Sequence, residues 1–150
     1  MNHKSQIAII MLFPLAIILS LAALFAMASF NNNLDSQSKN LSEMMSNVKF
    51  NEIYVRQQAH LIFNESLSSC NGCSLEQIKE KVIVVAAERE TIHLYEGAGN
   101  LYAKLRNPAQ FQVEKNENEY LLKIGDLFVQ SQKGQNRIQR DFNVTIQITS

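Results

Sequence analysis

Residues 7–28 read Ile-Ala-Ile-Ile-Met-Leu-Phe-Pro-Leu-Ala-Ile-Ile-Leu-Ser-Leu-Ala-Ala-Leu-Phe-Ala-Met-Ala, without one charged side chain. No other feature constrains the chain as much. A helix over this run is about 33 Å long at 1.5 Å per residue, enough to cross a hydrocarbon core of about 30 Å. Lys and Arg number 14 and Asp and Glu number 14, yet of all these only Lys4 precedes Asp35. That distribution disfavours a freely soluble enzyme. The net charge is zero, without the basic excess that a nucleic-acid partner selects.

A cleaved secretory signal has an apolar core of about 7–15 residues before a small-residue cleavage site. Ala22, Ala23, Ala26 and Ala28 offer small residues to a peptidase, but the run is longer, so a retained transmembrane helix at 7–28 is expected, in contact with membrane lipid. Pro14 lies inside it and removes one backbone hydrogen bond, a loss that membrane helices tolerate. Residues 1–6 form a short leader with His3 and Lys4, whereas Asn31-Asn32-Asn33-Leu34-Asp35 follows the run and no cation appears until Lys39. The positive-inside bias then places the N-terminus in the cytoplasm and the C-terminal part outside. Three Asn-x-Ser/Thr triplets, at Asn40, Asn64 and Asn143, are candidate glycosylation sites in keeping with that location.

Beyond the span, Leu34, Leu41, Val48, Val55 and Ile62 recur every seven residues, with Met45 and Ala59 at the fourth position and Met44 widening the stripe. This period predicts an amphipathic helix or a coiled-coil seam over 29–68. Ser42, Glu43, Asn47, Lys49, Glu52, Arg56 and Gln57 are assigned to the opposite face, and no Gly or Pro interrupts the chain between residues 15 and 71. Gln37, Asn51 and Gln58 fall on alternate seam positions, which suits a helix docked on a small sheet better than a free-standing coil.

The segment Ser69-Cys70-Asn71-Gly72-Cys73-Ser74 holds both cysteines around an Asn-Gly turn. In an oxidising compartment a structural disulfide between Cys70 and Cys73 is the first reading. A Cys-x-x-Cys redox site is a second, although such sites follow a strand and open a helix, and no strand is expected before Cys70. Half of a zinc site, completed by His60 and His93, is a third. Ser74 and Gln77 form a capping box for a second helix from Leu75 to about Glu88, with Leu75, Ile78, Val82, Ile83 and Ala86 on one face.

From Thr91 the period shifts towards two: Ile92/Leu94, Leu101/Ala103/Leu105, Phe111/Val113, Tyr120/Leu122/Ile124, Phe128 and Phe142/Val144/Ile146/Ile148 alternate with polar residues between turn-forming clusters, Gly125-Asp126 among them. Four or five short antiparallel strands with one buried face are expected. The fold class is therefore α+β: a long N-terminal membrane-plus-stalk helix, a short second helix, and in 69–150 an extracytoplasmic domain whose small antiparallel sheet packs on the helix.

No phosphate-binding glycine loop, nucleophile elbow, His-Glu-x-x-His or EF-hand loop is present. Glu88, Glu90 and Glu96 read as solvated carboxylates at element ends, and Lys115–Glu119 as a hairpin tip. With no Trp, carbohydrate stacking has little support. A non-enzyme with no cofactor, no metal and no evident small-molecule substrate is expected.

A basic leader, an apolar helix with an internal Pro, its amphipathic extension and a small sheet together resemble the type IV pilin-like family, archaeal pilins and bacterial pseudopilins included. Lys4-Ser5-Gln6 is similar to the archaeal class III leader, which implies cleavage after Ser5 and a mature chain starting at Gln6. The resemblance implies packing of Leu12, Phe13, Pro14, Leu19 and Phe25 against neighbouring subunits, and a homo- or hetero-oligomer formed through the N-terminal helix. At the fifth mature position, where major pilins carry Glu, this chain has Ile10. That departure implies a minor subunit of a filament or secretion apparatus. The alternative is a bitopic membrane protein that never polymerises and whose outer domain binds a partner in an envelope complex.

Overall fold

The computed structural model describes residues 3–70, 72–92 and 98–149, with side chains described from Pro14 onward except Ile92. Six elements follow in order: α1 (His3–Ser68), α2 (Leu75–Ile92), α3 (Gly99–Leu105), β1 (Phe111–Asn116), β2 (Glu119–Lys133) and β3 (Asn136–Thr149). The three strands form one antiparallel sheet in the order β1-β2-β3, so the chain is α+β as its patterning predicts. The residues divide into two compact units, Met1–Ser42 and Glu43–Ser150.

In the first unit every described residue is helical, and all but the half-buried Asn40 are exposed. The helix runs through Pro14 without a break. Ser20 donates its hydroxyl to the Ala16 carbonyl at 2.8 Å, satisfying the one polar side chain among residues 14–28 within its own helix.

In the second unit the chain is organised around one face of α1. Val48, Val55, Ala59, Ile62 and Phe63 are buried in one core with α2, α3 and the sheet, and Met44 is buried as well. These spacings follow the 3.6-residue period of a helix docked on a surface, not a strict heptad. The heptad reading is corrected at Met45, which is 60% exposed while Met44 is buried, and at Leu34 and Leu41, which are exposed. Asn51 and Gln58 do lie on the buried face, and Asn51 reaches the Gln130 carbonyl of β2 at 3.4 Å. Glu52 and Arg56, expected on the solvent face, instead flank β3: Glu52 pairs with Arg56 at 3.0 Å and Arg140 at 2.9 Å, and the Arg56 guanidinium lies over the Phe142 ring.

The disulfide-closed turn ends α1, and α2 begins at the capping box, where the Gln77 N–H donates to Ser74 Oγ and the Ser74 N–H to Gln77 Oε1. Ile78, Val82, Val85 and Ala86 are its buried positions. It stays helical through Val82-Ile83-Val84-Val85 and runs past Glu88 to Ile92. The β-branched run costs only a few tenths of a kcal/mol per residue in helix propensity, less than burial of that face returns.

Two corrections reduce the expected strands to three. The strand pattern over Leu101/Ala103/Leu105 is a helix, α3, which buries Leu101, Tyr102 and Leu105 and leaves Ala103 exposed; spacing of one and four describes a helix face as well as spacing of two describes a strand. The Ile92/Leu94 pair falls at the end of α2 and on residues outside those described. The second correction concerns Gly125-Asp126, which does not separate two strands but forms a bulge within β2, where the register shifts between Ile124 and Leu127. Asp126 adopts φ 53°, and its N–H is held by Asn143 Oδ1 at 3.0 Å. The extra residue inverts the alternation: Leu122 and Ile124 are buried before it, Leu127 and Val129 after it. Phe128, expected in the core, therefore points outward.

Tyr102 is the largest fully buried side chain, and its hydroxyl has no hydrogen-bond partner among the described residues. Burial raises its pKa above the ordinary value; the nearby Tyr54 adds to the rise and Arg89 opposes it. A phenol whose folded pKa is raised favours folding below the unfolded value of about 10 and loses that contribution as pH rises through the folded value. Tyr102→Phe should leave stability unchanged or raise it by about 1 kcal/mol at neutral pH. Urea unfolding of the two proteins at about pH 8 and pH 11 should show the parent losing more stability than the variant. Phe63→Ala should cost about 3–5 kcal/mol in the same assay.

Candidate functional site

Among the described residues no polar cleft gathers those that the sequence singles out; they fall on the apolar span, the turn after α1 and the sheet. From Pro14 onward, α1 is long and apolar enough to cross a membrane, and its most apolar 18-residue window buries nothing within the protein. Pro14 and Leu19 are exposed, and Phe25 is 75% exposed. In water such a surface is unfavourable by roughly 25 cal/mol per Å² of apolar area, so a lipid or protein environment is implied. The backbone of Lys4, Ser5, Gln6, Leu12 and Phe13 is helical within α1, while their side chains lie outside those described.

Cys70 and Cys73 form a disulfide with Cα atoms 5.3 Å apart. Gly72 between them has φ 78°, a left-handed conformation that glycine adopts without steric cost. Both cysteines are half-buried against the core, and they border a shallow groove of about 310 Å³ with Gln77, Glu80, Lys81 and Val84. The pair follows a helix rather than a strand, which is not the setting of a Cys-x-x-Cys redox site.

His60 is exposed on α1, and His93 and Glu96 are outside the described residues. Among the described residues no three His, Cys, Asp or Glu side chains gather as metal ligands would. Glu90 is engaged by Arg106 across the α2–α3 junction. At the β1–β2 tip, Lys115 lies over the Tyr120 ring at 5.1 Å.

Of the three candidate glycosylation asparagines, Asn40 and Asn64 lie within α1, and Asn143 lies exposed on β3 with its Oδ1 engaged at the bulge. Two surfaces escape the sequence reading. One is an exposed apolar strip on the outer side of α1, formed by Phe50, Ile53 and Leu61, with Phe50 stacked on Tyr54 at a ring separation of 6.5 Å. The other is a groove of about 560 Å³ between α1 and β3, lined by Met45, Val48, Lys49, Ile138 and Arg140 among others. A 3.6-residue projection, applied beyond the heptad stripe, would have shown the first; the second depends on which strand lies at the sheet edge. Comparison with family models, with curated proteins and with solved structures gives no match.

The disulfide closes a short loop, for which the chain-entropy relation gives about 2 kcal/mol. Replacing both cysteines by Ser should lower unfolding stability by about that amount in a denaturant titration. The far-ultraviolet circular dichroism of the folded protein should not change.

Proposed function

We propose that this protein is a single-pass, pilin-like structural subunit, a minor component of an extracytoplasmic filament or secretion apparatus. The observation that carries this reading is the build of α1. An uncharged apolar segment passes without interruption into an amphipathic half whose buried face docks on an antiparallel sheet. The role proposed is physical rather than catalytic. Leu12, Phe13, Leu19 and Phe25 pack against neighbouring helices, the N-terminus is cytoplasmic, and the sheet-bearing domain lies outside.

The strip of Phe50, Ile53 and Leu61 supports the same reading, because it gives the docked half of the helix a second apolar surface to offer a neighbour. Processing in this reading cuts after Ser5. Ile10, in place of the acidic residue of major pilins, favours a minor subunit and equally supports the second reading, a bitopic protein that does not polymerise.

The two readings differ in mass. The protein extracted from its native membrane should have the intact mass of residues 6–150 if the leader is processed. A full-length mass would remove the pilin-like reading and leave the bitopic anchor. Under the first reading Ile53→Lys, at an exposed position, should reduce co-assembly in chemical cross-linking while leaving the fold intact.

A further inference from the structure

The back of α1, the side turned away from the sheet, carries a pattern that the docked core does not use. Ser46, Phe50, Ile53, Gln57, His60 and Asn64 recur at alternating intervals of four and three, and all six are exposed. At 3.6 residues per turn they share one side of the helix, opposite the buried Val48, Val55, Ala59 and Ile62. No acidic, lysine or arginine side chain falls on this line, although Glu43, Lys49, Arg56 and Glu65 are exposed on the same stretch. Alternation of four and three is the seam spacing of paired helices.

The residues on the seam select the partner. Phe50 and Ile53 form its apolar part, 59% and 49% exposed. Gln57 stands at its centre. A carboxamide is both donor and acceptor, so the Gln57 side chains of two identical copies satisfy each other across a two-fold axis. An isolated amide at a seam position fixes the register and the number of helices. Lys49 and Tyr54 flank the seam at positions that meet between two in-register parallel helices. The ammonium of each copy then lies beside the other copy's Tyr54 ring, an attractive pairing. The uncharged span sets the direction, because copies anchored through it all enter the membrane the same way.

We propose that two copies of this chain associate through this seam, with their α1 helices parallel and in register over residues 46–64. Both apolar spans then run in one direction, and the two sheets lie on the outside of the pair, each packed on the far side of its own helix. An in-register pair holds both copies at one height. That suits a component placed once in an apparatus better than a subunit repeated along a helix, in keeping with the minor-subunit reading drawn from Ile10. The pairing rests on the membrane-anchored part of the proposed function, and not on cleavage after Ser5 or on filament growth. Asn64, a candidate glycosylation site, lies on the seam, so the pairing requires it unmodified.

The test uses the full chain in detergent micelles. Cys70 and Cys73 are joined and the chain has no third cysteine, so Ser46→Cys, His60→Cys and Met45→Cys each carry one free thiol. Copper phenanthroline should convert Ser46→Cys and His60→Cys to disulfide-linked dimers, because their thiols face each other across the seam. Met45→Cys, at the neighbouring exposed position, lies about 100° around the helix from Ser46 and should stay monomeric. In sedimentation equilibrium Phe50→Glu, which opposes two carboxylates, should weaken association about tenfold, and Gln57→Leu should tighten it about tenfold by making the seam apolar throughout.

A chain that stays monomeric overturns the pairing. So does cross-linking of Ser46→Cys and His60→Cys no greater than that of Met45→Cys. Association unchanged by Phe50→Glu, as packing through the apolar span alone gives, overturns it as well, and so does a glycan on Asn64 of the native protein. Leader processing is tested apart from this, by the mass of residues 6–150, so either reading can fail while the other stands.

Discussion

One face of one helix holds the second unit together. Val48, Val55, Ala59, Ile62 and Phe63 of α1 supply the surface on which α2, α3 and the sheet converge. A three-stranded sheet has two faces and two edges, and short helices cannot bury their apolar sides on each other alone. Neither is expected to hold its shape without a longer element to pack against. The docked half of α1 provides it. The polar residues on that face are accommodated rather than excluded: Ser66 donates to the Ile62 carbonyl of its own helix at 2.7 Å, and Asn51 reaches across to β2.

The same helix carries two surface chemistries along its length. Residues 14–28 show apolar side chains on all sides, whereas the docked half has one apolar face, a polar flank and a narrow second apolar strip. A helix that is apolar all round needs an apolar solvent or a packed bundle. A helix with one apolar face needs a domain. Both requirements follow from residue order alone, without any catalytic or ligand-binding group.

Much of this was legible in the sequence. The uncharged run, the capping box of Ser74 and Gln77, the Cys70–Cys73 turn and the α+β class all depend on short-range patterns that survive folding. What misled were features that change meaning with context. A seven-residue repeat and a 3.6-residue period differ little over two turns, so Met45 and Met44 exchange roles. Leu101 and Leu105 satisfy both periods, and burial of Tyr102 between them decides for the helix. Gly125-Asp126 has the composition of a turn, yet Asn143 on the opposite strand converts it into a bulge. That conversion comes from a residue far along the chain, and it alone turns Phe128 outward. The groove between α1 and β3 was beyond a linear reading, since strand order decides it.

The chain contains no Trp and four Tyr residues, and among the described residues Tyr102, fully buried, sits where α3 meets the core. Its emission is therefore not masked by the stronger, red-shifted fluorescence that indole would bring. The core carries its own optical probe, sensitive to the loosening of α3 and silent to events along the apolar span, where no tyrosine lies. Folding of the second unit and events along the apolar span can thus be followed separately in the unlabelled protein.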